Sequence, residues 1–168
     1  PAILSFLSQL MDSGCGRFLV TCTCAEYAPS DEPMTERSPT GPRTLYAAAK
    51  LSLLMLLDQL ASESGASLAW ARIFHLYGPY EHEERLVPAV IRTLLDNRAF
   101  AATAGDQVRD YLHVADVAAA LREMIDRGAD GAYKVFSGEP TSARALVNTS
   151  AQSLTNPAPT TAGGVTRR

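Results

Sequence analysis

The chain is 168 residues long, long enough for a real core, with 46% hydrophobic residues and a formal net charge of −3. That acidic balance argues against a nucleic-acid backbone as partner, and no basic stripe offsets it. Three cysteines without Cys-x-x-Cys spacing and three histidines in no recognisable ligand pattern point to buried thiols rather than a disulfide framework or a metal site. No run of about 18 apolar residues is visible and no charged-then-apolar leader opens the chain, so it reads as a soluble, cytoplasmic protein without membrane contact.

In chain order, residues 2–11 read as a helix and residues 17–23 (Arg-Phe-Leu-Val-Thr-Cys-Thr) as a buried strand. A polar, proline-rich loop spans 29–43. An apolar helix follows to about Ser64, with Gly65 as its cap. Residues 67–76 read as one second buried strand, ended by Tyr77-Gly78-Pro79. A helix over 86–95, short extended pieces over 100–103 and 110–114, a helix over 116–126, a strand over 132–136 and a last helix over 142–154 complete the pattern, with a frayed tail after Asn156. Alternating strands and helices predict an α/β fold, a parallel sheet covered on both faces.

The most informative local feature is Tyr46-Ala-Ala-Ala-Lys50 at the opening of the long apolar helix. Residues four apart on a helix share a face, so the two head groups can converge on one point. An ammonium beside a phenol stabilises the phenolate and turns an inert hydroxyl into an acid/base. Six tyrosines but only two lysines occur in the chain, so this spacing is uncommon by chance; an ordinary amphipathic helix with a surface Lys is the alternative.

Four segments together resemble the extended short-chain dehydrogenase/reductase family, the NAD-dependent sugar-nucleotide epimerases and dehydratases. They are Thr21-Cys-Thr23-Cys24-Ala25-Glu26-Tyr27; Tyr46-x-x-x-Lys50; Arg72-Ile-Phe-His-Leu-Tyr77-Gly78-Pro79, like the family's Arg-x-x-Asn-x-Tyr-Gly-Pro; and Arg109-Asp110-Tyr111-Leu-His-Val-Ala-Asp116. Each is weak alone; all four in order are specific. The resemblance implies a partial doubly wound, Rossmann-type parallel sheet with elements of a small C-terminal substrate-binding region. Residues 1–80 would be the second half of the dinucleotide-binding domain, 81–155 substrate-binding elements interleaved with sheet elements, and 156–168 a tail.

The resemblance further implies NAD or NADP as cofactor, a nucleotide-sugar substrate and a homodimer in the full-length protein. Thr23 would hydrogen-bond the reacting sugar oxygen, Tyr46 would act on it as acid/base, and Lys50 would support Tyr46 and bind the nicotinamide ribose. Phe74 would line the nicotinamide, and His75, standing where the family has Asn, would lie by the substrate diphosphate. Arg109 would meet the nucleotide phosphates. Arg85 would pass near the nucleotide, although a plain helix start explains Arg85-Leu-Val-Pro88 equally well. Alternatives drawn from the residues themselves are a turn-capping hydroxyl for Thr23, a core imidazole for His75 and an ion pair with Asp106 or Asp110 for Arg109.

Two departures shape the expectation. Cys24 and Ala25 occupy positions where similar 4,6-dehydratases carry a carboxylate, so epimerisation or 4-keto reduction fits better than dehydration. No glycine-rich Gly-x-Gly-x-x-Gly turn occurs among the 168 residues, so the chain reads as a fragment of such an enzyme, the alternative being a non-catalytic remnant. A nucleotide-independent binding module of the same topology would leave the Tyr46/Lys50 pair unexplained.

Overall fold

A computed structural model describes residues 2–101 and 104–155. The elements run α1 (Ala2–Asp12), β1 (Arg17–Thr23), a 3-10 turn (Cys24–Glu26), α2 (Leu45–Ser64), β2 (Ser67–Ile73), β3 (His75–Tyr77), α3 (Leu86–Leu95), β4 (Val108–His113), α4 (Val114–Asp126), β5 (Gly131–Val135), β6 (Pro140–Ser142) and α5 (Ala143–Thr155). They form two units, one of residues 1–78 and 110–138, the other of 79–109 and the C-terminal segment from 139.

The first unit is built on a parallel sheet in the order β1-β2-β5, as the alternating pattern predicts. β2 is the central strand, and its apolar run is buried on both faces. Leu68 and Trp70 face one layer, where Leu7 of α1, Phe18 and Cys22 of β1, and Leu57 and Ala61 of α2 close the core. Ala71 faces the other, packed with Val135 of β5 and Val117 of α4. Alternation along one strand thus serves two cores.

Helix α2 starts where Thr44, in extended conformation, accepts the Ala47 amide on its hydroxyl at 3.1 Å. It stops at Gly65, whose φ of 69° lets its N–H reach back to the Ala61 carbonyl. The expectation that no stretch is long and apolar enough to span a membrane does not hold for α2, a 20-residue helix that meets that test by length and composition. It packs against α1, β1 and β2, yet Leu45, Met55 and Leu56 remain exposed.

Residues 67–76, read as one strand, are two. β2 ends at Ile73, paired with Thr23 on one side and Val135 on the other, and Phe74 still donates its N–H to Val135 O at 3.1 Å. His75, Leu76 and Tyr77 instead pair in parallel with Tyr111, Leu112 and His113 of β4. Nothing in the side chains marks the change, because Ile, Phe, Leu and Tyr all favour strands; it is a change of hydrogen-bond partner. Pro140 opens the short strand β6, an element not expected between the strand over 132–136 and the last helix. Of the strand expected over 100–103, Phe100 and Ala101 lie in none, and residues 102 and 103, like the tail after 155, fall outside the described residues.

In the second unit α3 packs on α5, and the Gln107 carbonyl takes the Ala143 N–H at 2.9 Å. Glu81 is largely buried and accepts from Arg85 Nε at 3.2 Å, while Glu83 in the same acidic run is exposed.

Candidate active site

The carboxyl ends of β1, β2 and β5 lie side by side, since Thr23 pairs with Ile73 and Ile73 with Val135. In parallel sheets this edge is where ligands gather. Thr23 is half-buried there, and its Oγ1 accepts the Ala25 N–H at 3.2 Å, capping the 3-10 turn. The turn-capping role is therefore real, and it occupies only a lone pair. Accepting that N–H leaves the hydroxyl its proton to donate.

α2 packs against that turn and carries Tyr46 and Lys50 in its first two turns. Tyr46 is 59% exposed, while Ala47, its neighbour in sequence, is 1% exposed and anchors the helix start in the protein. Lys50 is half-buried, with Nζ 6.0 Å from the Tyr46 ring centroid. Both head groups are thus on one face. Phe74 and Phe136 follow the ends of β2 and β5, with ring centroids 5.8 Å apart. His75 sits half-buried on β3, its ring 5.8 Å from that of Tyr111, to which it is register-paired.

Thr23, Tyr46, Lys50, Phe74 and His75 all belong to the first unit. Arg85 and Arg109 belong to the second. Arg85 is the N-cap residue of α3 and pairs with Glu81. Arg109 is exposed and donates to Gln107 Oε1 at 3.2 Å. Its alternative partners are engaged elsewhere: Asp106 pairs with Arg144 at 3.0 Å, and Asp110 accepts the Ser137 and Gly138 amides at 2.6 and 2.8 Å.

Sequence reasoning missed the cluster directly behind this edge. Glu26 is 0% exposed, and its carboxylate takes Arg72 Nε at 2.8 Å, the Trp70 indole N–H at 3.2 Å on both oxygens, and the Cys22 thiol. Arg72 also donates to Tyr27 Oη at 3.2 Å and stacks 4.7 Å from that ring. A guanidinium that donates to a carboxylate and a phenol oxygen is suited to such burial. The usable signal was an Arg and a Trp two residues apart within an otherwise apolar buried strand. Glu26 lies in a 3-10 turn that leaves Ala25 exposed and turns the carboxylate inward, so it is withdrawn from the substrate edge.

Burial, then the hydrogen bond and charge of Glu26, push the Cys22 thiol up to about 12. Cys22 should therefore resist iodoacetamide at about pH 8 in the folded chain, while exposed Cys15 reacts readily. Peptide mass mapping checks this, with urea expected to abolish the difference.

Residues 3–137 match the family described as the NAD dependent epimerase/dehydratase family. The chain belongs to this family. It is 27% identical over 175 residues to UDP-glucose 4-epimerase of Corynebacterium glutamicum, covering 93% of this chain and 53% of that protein. It is 34% identical over 106 residues to dTDP-glucose 4,6-dehydratase of Mycobacterium tuberculosis, covering 62% and 32%. A crystal structure of the dTDP-glucose 4,6-dehydratase DesIV of Streptomyces venezuelae, solved with NAD bound, superimposes with a TM-score of 0.77 at 29% identity over 89% of this chain and 48% of that one. The chain thus spans a third to a half of its relatives' length, and within that span it has their Rossmann-type fold.

Against NAD, the residues present fit one end of the cofactor. The exposed phenol of Tyr46 and the ammonium of Lys50 are donors of the kind a ribose takes, and Phe74 and Phe136 are an apolar pair of the kind a nicotinamide takes. The pyrophosphate-binding glycine turn is not among these 168 residues.

Proposed function

We propose that the full-length protein is an NAD(P)-dependent nucleotide-sugar epimerase or 4-ketoreductase in which Tyr46 is the acid/base. The observation that supports this reading is the Tyr46/Lys50 pair on one face of α2, a helix packed against the turn that Thr23 caps at the carboxyl end of β1, within a chain of the epimerase/dehydratase family.

Tyr46, Lys50 and Phe74 would hold the nicotinamide end of NAD(P), which would supply the hydride acceptor and donor. Thr23 uses its free proton to hold the sugar oxygen while its lone pair stays committed to Ala25 N–H. Tyr46 Oη takes the proton from that oxygen as the C–H bond breaks and returns it when hydride is delivered back. Lys50 favours by its charge the phenolate that Tyr46 must be before it can take that proton, and its half-buried setting keeps that interaction stronger than in bulk water. Phe74 excludes solvent from the edge. Within the first unit His75 would serve the substrate; within the second, Arg109, whose exposed guanidinium donates to the neutral Gln107, would serve the nucleotide phosphates, and Arg85 would serve the nucleotide.

The carboxylate needed to eliminate water across neighbouring sugar carbons has no counterpart at Cys24 or Ala25, and Glu26 is committed to Arg72 and Trp70. That favours epimerisation or reduction. The exposed Leu45, Met55 and Leu56 on α2, with Phe6 on α1, support the homodimer.

Incubating the full-length protein with NAD and UDP-glucose and following the sugar by NMR tests the reading. Inversion at a ring carbon is expected, and Lys50→Met should slow it by about tenfold or more. A 4-keto-6-deoxy product would place the enzyme among the dehydratases instead.

A further inference from the structure

Residues 28–44 join the turn after Thr23 to the helix that presents Tyr46, and they contain no helix or regular strand of their own. A segment this long and polar has no intrinsic reason to hold one path. Its neck is closed by two main-chain hydrogen bonds, which frame one antiparallel bridge. Ala28 N–H donates to Pro39 O and Gly41 N–H to Glu26 O, each at 2.9 Å, and Tyr27 bridges Thr40 in antiparallel fashion. The approach is close enough that a Cβ at Gly41 would lie 2.9 Å from the Ala28 Cβ and 3.2 Å from its Cα.

The tip is held differently. Arg72 Nη1 donates to the Glu36 carbonyl at 3.3 Å, and Lys134 Nζ donates to the Met34 carbonyl. Arg72 and Lys134 are register partners across β2 and β5, so their side chains leave the sheet on the same face. Each is aimed from behind: Arg72 by Glu26 and Tyr27, Lys134 by the Phe136 ring 4.1 Å from its Nζ. Lys134 is one of only two lysines in the chain, and its hydrogen bond goes to a main-chain oxygen. Carbonyls are indifferent to loop side chains, so the two cations fix the path of the backbone and not its composition.

We propose that Arg72 and Lys134 are positioning residues that fasten the tip of the 28–44 loop to the sheet and thereby hold Thr44 and Tyr46 in their working place beside the Thr23 turn. The kinetic consequence rests on the acid/base reading of Tyr46; the fastening does not.

Lys134→Met in the full-length protein tests this, because Lys134 has no buried acid to strand. Trypsin cleavage after exposed Arg37 should accelerate about tenfold. With NAD and UDP-glucose, kcat should fall about tenfold and KM stay within about twofold, since a displaced acid/base harms the chemical step more than binding. Lys134→Arg should restore both. Unchanged cleavage overturns the fastening; faster cleavage with full kcat overturns the positioning, as does a loss that Lys134→Arg leaves in place. Lys134→Gln serves as the second variant should the methionine variant fail to fold. Full turnover in a Tyr46→Phe variant would sink the acid/base reading and leave the proteolysis arm to decide the fastening.

Discussion

Tyr46→Phe in the full-length enzyme should lower turnover by about 10²-fold or more while leaving nucleotide binding close to that of the wild type. The substitution removes one oxygen and keeps the ring. Tyr46 is 59% exposed and is not part of either buried core cluster, so folding has little to lose. Rate measurements under saturating sugar nucleotide, with NAD affinity followed by fluorescence titration, separate the two effects. Undiminished turnover would remove Tyr46 from the chemistry and with it the proposed mechanism. A parallel loss of cofactor affinity and rate would instead make the tyrosine a binding group.

The largest stability effect is expected one layer deeper. Arg72→Leu strands the Glu26 carboxylate, 0% exposed, without its cation, which should cost about 3–5 kcal/mol in urea unfolding. The same substitution releases Tyr27 Oη and the Glu36 carbonyl from their shared donor. Adding Glu26→Gln removes the orphaned charge and still offers the Trp70 indole a carbonyl oxygen. The double variant should therefore recover a large part of the loss. A cost below about 1 kcal/mol for the single variant would mean that water reaches the cluster and that the pair is not the buried unit its geometry indicates.

Much of the parallel sheet was legible because its cause is local. Gly65, expected as the cap of α2, closes it in the left-handed conformation, whereas the Thr44 hydroxyl that opens it was not read from the sequence. The limits of β1 at Arg17 and Thr23 coincide with those expected from its apolar run. The break at Phe74 was invisible because the exchange of β5 for β4 as partner depends on strands that lie far along the chain. The partners of Glu26 were not legible for a related reason. Read as a continuing strand, its face follows from alternation; as the third residue of a 3-10 turn, it follows from where Arg72 and Trp70 stand. Of the site, the residue types at 23, 46 and 50 were legible, whereas the cations that fasten the intervening loop were not. Lys134 owes its place there to register with Arg72.

The position of β2 at the centre of its sheet also has a consequence for biogenesis. Its second ladder partner, β5, and the helix that covers Ala71 are encoded far downstream, beyond the whole 79–109 segment. A nascent chain that has just delivered Ile73 from the ribosome can close the layer around Trp70 with α1, β1 and α2, but must leave the opposite face bare until Val135 emerges. For that interval the strand is a half-finished edge, open to pairing with whatever lies nearby.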